Sequence, residues 1–170
     1  VDLDNINLDV RAGEIVGIAG VSGNGQKELL AAISTRQFNA RHFEHPSDKN
    51  TNHRLHIVPE ERLGCGAVPS MSLADNLLLT RSEAVTKRFG FDWITPTKLH
   101  AQARRIIEAF NVKAGSGKGS AALAQSLSGG NLQKFIVGRE MDAQPEVLVV
   151  AQPTWGVDVG AAAQIRGELL

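Results

Sequence analysis

Apolar residues along this chain follow two rhythms. Short unbroken runs between glycines or prolines are the mark of strands buried on both faces. Repeats every three or four residues are the mark of helices with one buried stripe. Ile15–Ala19 and Val147–Ala151 are of the first kind. Val1–Val10 alternates loosely and predicts an edge or half-buried strand, while Leu55–Val58, stopped by Pro59, predicts another short one. Arg11–Glu14 reads as a turn between the first two runs. Leu29, Leu30 and Ile33 share one face of a helix that begins at Gln26. Ser72, with Asp75 three residues on, makes a capping box that opens a helix over Leu73–Leu79. Thr95-Pro96 starts the next helix, whose stripe is Ala103, Ile106, Ile107 and Phe110. Ser128 reads as an N-cap, with Leu127 and Leu132 at the two positions of a hydrophobic staple, and Gly160–Leu170 reads as a last helix. Residues 36–56 are polar and predict loops and short exposed strands, and Ala114–Ala122 predicts a glycine- and serine-rich loop. Helices alternating with apolar strands place the chain in the α/β class.

Composition narrows this picture. At 170 residues the chain can bury one proper core. Lys plus Arg and Asp plus Glu both total 18, and a formal charge of zero argues against a nucleic-acid binder. Cys65 is the single cysteine, so no disulfide can form within the chain. No apolar run approaches the ~20 residues of a membrane helix. Opening in a strand-like segment and stopping in a helix-like one, the sequence reads as part of a longer polypeptide.

Two segments carry chemistry. Gly20–Gly25 lies between an apolar strand and a helix, the context in which a glycine loop presents backbone N–H groups to phosphate. Leu127-Ser-Gly-Gly-Asn-Leu-Gln-Lys134 places two glycines and a hydroxyl at a helix start. Unobstructed N–H groups and the helix dipole make that an anion site. The second segment resembles the signature motif of ABC ATPases, Leu-Ser-Gly-Gly-Gln, with Asn131 at its last position. The other landmarks follow in the family's order. Gly20–Lys27 stands at the P-loop, Ile57–Glu60 at the Q-loop, Val147–Gln152 at the Walker B strand, and Pro153–Asp158 at the D-loop. Gly-Asn-Gly-Gln in the loop, Pro-Glu-Glu-Arg62, the run into Gln133-Lys134, and Ala-Gln-Pro-Thr154 are similar to one subgroup. These are the second nucleotide-binding halves of bacterial importers for simple sugars and nucleosides.

The resemblance implies a P-loop NTPase core of the ABC type with a helical subdomain and a small antiparallel β region. It implies core at roughly 1–70 and 140–170, with the helical subdomain and signature at 71–139. It implies ATP as the nucleotide, bound by Gly20, Ser22, Gly23, Asn24, Gly25, Gln26, Lys27 and Glu28. It also implies a head-to-tail partner ATPase domain, fused or separate, whose site Ser128, Gly129, Gly130 and Asn131 would complete, with Asp158 in the D-loop. Transmembrane permease subunits and a peripheral place on the cytoplasmic side of the membrane follow, with no nucleic acid.

Several positions depart from the family. Gln26 stands where the phosphate-binding lysine belongs and Lys27 where the Mg²⁺-binding Ser or Thr belongs. The acidic Walker B pair is Ala151 and Gln152, and the Q-loop glutamine is Glu60. Gln152 and Glu60 thus hold the catalytic positions in degenerate form. Mg²⁺ is expected at the partner's site, its place at this one is in question, and no metal site is assigned to this chain. Three alternatives stay open: an active transporter ATPase in which Lys27 reaches back to the phosphates, a soluble ABC ATPase not linked to transport, or a scaffold that binds no nucleotide. Two decoys are set aside. Gly115-Ser-Gly-Lys-Gly-Ser120 lacks the upstream glycine and strand of a P-loop. His42, His45, His53 and His56 lie in a polar stretch and read as solvent-exposed rather than as metal ligands.

Overall fold

A computed structural model describes residues 2–21, 23–35, 55–80, 87–88, 91–92, 96–115 and 118–170. The chain divides into two compact units, Val1–Thr51 and Asn52–Leu170.

In the first unit the turn at Arg11–Glu14 forms as expected. Glu14 N–H donates to the Arg11 carbonyl at 3.0 Å, and the Glu14 carboxylate accepts from Arg11 N–H at 2.8 Å. Helix α1 spans Gln26–Ser34, matching its predicted start. The two strands expected at Val1–Val10 and Ile15–Ala19 do not form. Described residues 2–21 enter no ladder, and Ile15, Val16 and Ile18 are 66%, 40% and 55% exposed. A parallel strand is held by partners distant in sequence rather than by local bonds, and none of the described strands lies in this unit.

In the second unit, β1 (Leu55–Val58) pairs in parallel with β4 (Val147–Val150), in register from Leu55 against Val147 to Val58 against Val150. The short strands β2 (Lys87–Arg88) and β3 (Phe91–Asp92) form an antiparallel pair. Helix α2 (Leu73–Asn76) is capped by Ser72, which accepts from Asp75 N–H at 3.0 Å while its hydroxyl donates to the Asp75 carboxylate at 2.6 Å. Helix α3 (Pro96–Ala109) buries Leu99, Ala103 and Ile106, and Phe110 continues the stripe. Gly119–Ala121 and Ala124–Ser126 are single turns of 3₁₀ helix. Helices α4 (Gly129–Asp142) and α5 (Val159–Leu169) complete the unit.

Helix α4 is the spine. It is buried continuously from Leu132 to Glu140 and packs Phe135, Ile136 and Val137 against Val58, Leu73, Leu77, Ile106 and Ile165. Burying a side chain such as Phe135 contributes about 1.5–3 kcal/mol. A helix buried on all sides must also satisfy its polar residues. Fully buried Glu140 accepts from Arg139 Nε and pairs with His56 Nδ1, each at 2.6 Å, and Arg139 Nη1 donates to the Asn76 carbonyl. His56 is therefore not a solvent-exposed histidine. It turns inward because a buried carboxylate 84 residues away needs a partner. His42, His45 and His53 lie outside the described residues. Asn76 pins the preceding loop by accepting from Val68 N–H and donating to the Val68, Met71 and Ser72 carbonyls.

Candidate functional site

Parallel sheets bind ligands beyond the carboxyl ends of their strands, where backbone groups leave the ladder. Here β1 and β4 end side by side, and Ala151 N–H extends the ladder by donating to the Val58 carbonyl at 2.9 Å. Glu60 follows β1 by two residues and Gln152 follows β4 by two, so both leave the sheet at one edge. Glu60 is half-buried and Gln152 exposed. Gln152 has φ +48°, a left-handed conformation that is costly for a residue other than glycine. Its carbonyl accepts from Trp155 N–H at 3.1 Å, closing the turn into the D-loop segment.

Arg62 links this edge to the start of α4. Its Nη2 donates to the Trp155 carbonyl. A Cβ built on Gly129 would lie 2.5 Å from Arg62 Nη1, and one on Gly156 would lie 3.1 Å from Nη2. A side chain at Gly129 would displace the guanidinium, and one at Gly156 would crowd it. Gly156 also has φ +60°, where a Cβ is strained in any case. In the sequence Arg62 stands only as the last residue of the Pro-Glu-Glu-Arg62 run. Its charge beside two distant glycines was the signal, visible only once the loops were folded. Cys65, the chain's one cysteine, is exposed in the same loop, its Sγ 3.8 Å from the Glu61 carboxylate. Trp155 leaves 66% of its surface exposed and is not a core residue.

The helix start is built as the sequence predicted. Ser128 caps α4, accepting from Asn131 N–H, and Leu132 is buried while Leu127 packs against the core. Asn131 Nδ2 also donates to Ser128 Oγ at 2.8 Å, and Asn131 Oδ1 accepts from Lys113 N–H at 2.8 Å. Asp158 caps α5 by accepting from Ala161 N–H at 2.9 Å. That bond, with the nearby Lys134 charge, holds its carboxyl below the usual value. A Cβ on Gly130 would lie 3.2 Å from Asp158 Oδ2, so signature and D-loop meet at that glycine. Lys134 donates to the Asn111 carbonyl at 2.6 Å, and burial pushes its ammonium below the ordinary lysine value. Ser128 and Asn131 are thus bonded to each other, Gly130 meets Asp158, and Gly129 meets Arg62, a contact that the sequence does not show.

The glycine loop belongs to the first unit. Gly25 caps α1 in the left-handed conformation, φ +90°, without any side-chain cap. Gly23 has φ +91° and Asn24 N–H donates to the Val21 carbonyl at 3.3 Å. Gln26 folds its amide over the loop, since a Cβ on Gly20 would lie 2.9 Å from Gln26 Nε2. Lys27 is exposed, and the Glu28 carboxyl is held below its ordinary value, foremost by its own backbone N–H. Ser22 lies outside the described residues. Mg²⁺ in such loops is held by a hydroxyl and an acidic group. Lys27 carries an ammonium and Ala151 only a methyl, and neither side chain is a ligand for a divalent cation.

A parallel sheet with functional loops beyond its strand ends, a glycine loop capping a helix and a serine-capped Ser-Gly-Gly helix start define an ATP-binding cassette. The family described as ABC transporter matches residues 3–155, and the chain belongs to that family. It is 41% identical over 175 residues to the nucleoside import ATP-binding protein NupA of Lactococcus lactis subsp. cremoris, covering 97% of this chain and 34% of that protein. It is 40% identical over 178 residues to the glucose import ATP-binding protein TsgD13 of Haloferax volcanii, covering 99% of this chain and 32% of that protein. The chain therefore spans about a third of the length of these curated relatives. A dimeric ATP-binding cassette solved in a post-hydrolysis state with ADP and Pi has the same fold, with TM-score 0.71 and 19% identity, covering 98% of this chain and 72% of that one. The α/β P-loop NTPase fold of an ABC cassette, expected from the sequence, is the fold observed. No helix among the described residues is long and apolar enough to cross a membrane.

Proposed function

We propose that this domain is the auxiliary ATP-binding half of an importer for a sugar or nucleoside-like solute, lending its signature to an ATP site on a second ABC ATPase domain. In this reading residues 1–70 and 140–170 form the core and 71–139 the helical subdomain. The two ATPase domains, fused or separate, pair head to tail beneath transmembrane permease subunits on the cytoplasmic side of the membrane. Ser128, Gly129 and Gly130 face the ATP held by the partner's P-loop, where Mg²⁺ is also bound. There the capped helix start donates hydrogen bonds to phosphate, stabilising charge without supplying a base. The chain's own loop, Gly20–Glu28, binds nucleotide chiefly through backbone N–H groups. It does not turn ATP over efficiently, because Gln152 cannot take a proton at neutral pH and Glu60 adds negative charge at the Q-loop position.

One contrast carries this reading. The signature helix start is capped and braced with Ser128 exposed, while strand β4 runs into Ala151 and Gln152 where an acidic pair would serve hydrolysis. Relatives named for the import of nucleosides, glucose and ribose support the solute class. The test is ATPase activity of the assembled transporter. Ser128→Arg should lower it about a hundredfold or more, as loss of preorganised donors does, whereas Gln152→Ala should leave it within about twofold. A transporter indifferent to Ser128→Arg, or crippled by Gln152→Ala, contradicts the assignment.

A further inference from the structure

What Ser128 can bind depends on where its hydroxyl hydrogen points. A serine hydroxyl has one hydrogen to donate and two lone pairs with which to accept. Both lone pairs are engaged. Asn131 backbone N–H reaches Oγ at 3.4 Å and Asn131 Nδ2 reaches it at 2.8 Å. A carboxamide turned over would present oxygen instead, and the serine would then have to donate inward. Lys113 forbids that turn. Its backbone N–H donates at 2.8 Å to Asn131 Oδ1, a bond only the amide oxygen can accept. The polarity of the chain of bonds is therefore set by a main-chain donor, which cannot reverse. It runs from Lys113 N–H to Asn131 Oδ1, and from Asn131 Nδ2 to Ser128 Oγ, leaving the hydroxyl hydrogen of this exposed serine to point outward.

We infer that Asn131 is a positioning residue that makes Ser128 a committed hydrogen-bond donor, matched to anionic oxygens such as those of a phosphate group. This rests on the reading that the signature completes a partner's ATP site, and it adds the device that sets the site's polarity. Asparagine suits the task because its amide accepts on one side and donates on the other. A carboxylate at the same position would accept from Lys113 N–H and from the Ser128 hydroxyl alike. The serine would then turn inward and present lone pairs to the phosphate.

The experiment measures ATPase kcat/KM and thermal midpoint of the assembled transporter carrying Ser128→Ala, Asn131→Leu, Asn131→Asp, and Ser128→Ala with Asn131→Leu. Ser128→Ala should cost about tenfold or more. Asn131→Leu, which lets the hydroxyl rotate, should cost less than Asn131→Asp, which reverses it. The double variant should be no worse than Ser128→Ala alone, because Asn131 acts through the hydroxyl that alanine removes. A merely structural role would instead multiply the two losses and lower the midpoint further. Should the leucine variant fail to fold, Asn131→Asp keeps the bond from Lys113 and reads the polarity by itself. Loss on Ser128→Ala with none on Asn131→Asp or Asn131→Leu overturns the positioning role alone. No loss on Ser128→Ala overturns the signature's role as well.

Discussion

The phosphate loop and the signature segment are built from the same parts, glycines running into a helix N-terminus, yet they are supported very differently. Helix α1 starts at a glycine with no side-chain cap and contains no buried residue. Helix α4 starts at a capping serine and is buried from Leu132 to Glu140. Lys113 N–H holds Asn131, whose amide holds Ser128, while Arg62 lies against Gly129 and Asp158 against Gly130. Around Gly20–Gly25 the described contacts are the turn from Val21 to Asn24, the Leu29 N–H bond to the Gly25 carbonyl and the amide of Gln26. Loop composition therefore does not decide which anion site is preorganised. The surrounding shell does, because donors aid chemistry only when they need no rearrangement to reach the charge.

The comparison breaks first if the spine is not what holds the signature. Glu140→Leu removes the carboxylate shared by Arg139 and His56 and should cost about 3–5 kcal/mol in denaturant unfolding. A loss below about 1 kcal/mol would show that the network is incidental. Next in size, Arg62→Ala should lower ATPase of the assembled transporter about tenfold, since it frees the Trp155 carbonyl and the space beside Gly129. Unaltered activity would mean that the D-loop needs no such tie. For the phosphate loop the expected effect is smaller. ATP titrated into this chain with Mg²⁺ and then with EDTA should change affinity less than about tenfold, or ~1.4 kcal/mol. A larger loss would show that metal is bound, with Glu28 or Glu60 the first ligands to suspect. The smallest effect concerns acid. Because the Asp158 carboxyl lies below its ordinary value in the folded chain, its contribution is complete above the unfolded value near ~4 and fades as pH falls through the folded one. Unfolding followed against pH should give a shallower acid limb for Asp158→Asn than for wild type.

What the sequence revealed best was written locally. Ser72 and Ser128 cap their helices as read, and β1 occupies Leu55–Val58 as read, because a cap or a proline stop involves residues a few positions apart. What failed was non-local. The apolar run at Ile15–Ala19 has the composition of a buried strand, but composition supplies no ladder. His56 sits at the end of a polar stretch yet turns inward, since its partner Glu140 lies on α4. The family was legible as motif order, and the family match agrees with it. The bracing of the site was not, because Arg62 reaches Gly129 and Gly156 only through the folded chain.

The loop that carries Arg62 also carries Cys65, exposed and without another cysteine in the sequence. A maleimide dye would therefore attach at one address, with no other thiol in this sequence to remove first. Set three residues from the guanidinium and outside its contacts, an environment-sensitive fluorophore there would turn the loop into an optical reporter. Its lifetime and anisotropy could follow, in real time, how the segment between β1 and the signature responds when nucleotide arrives.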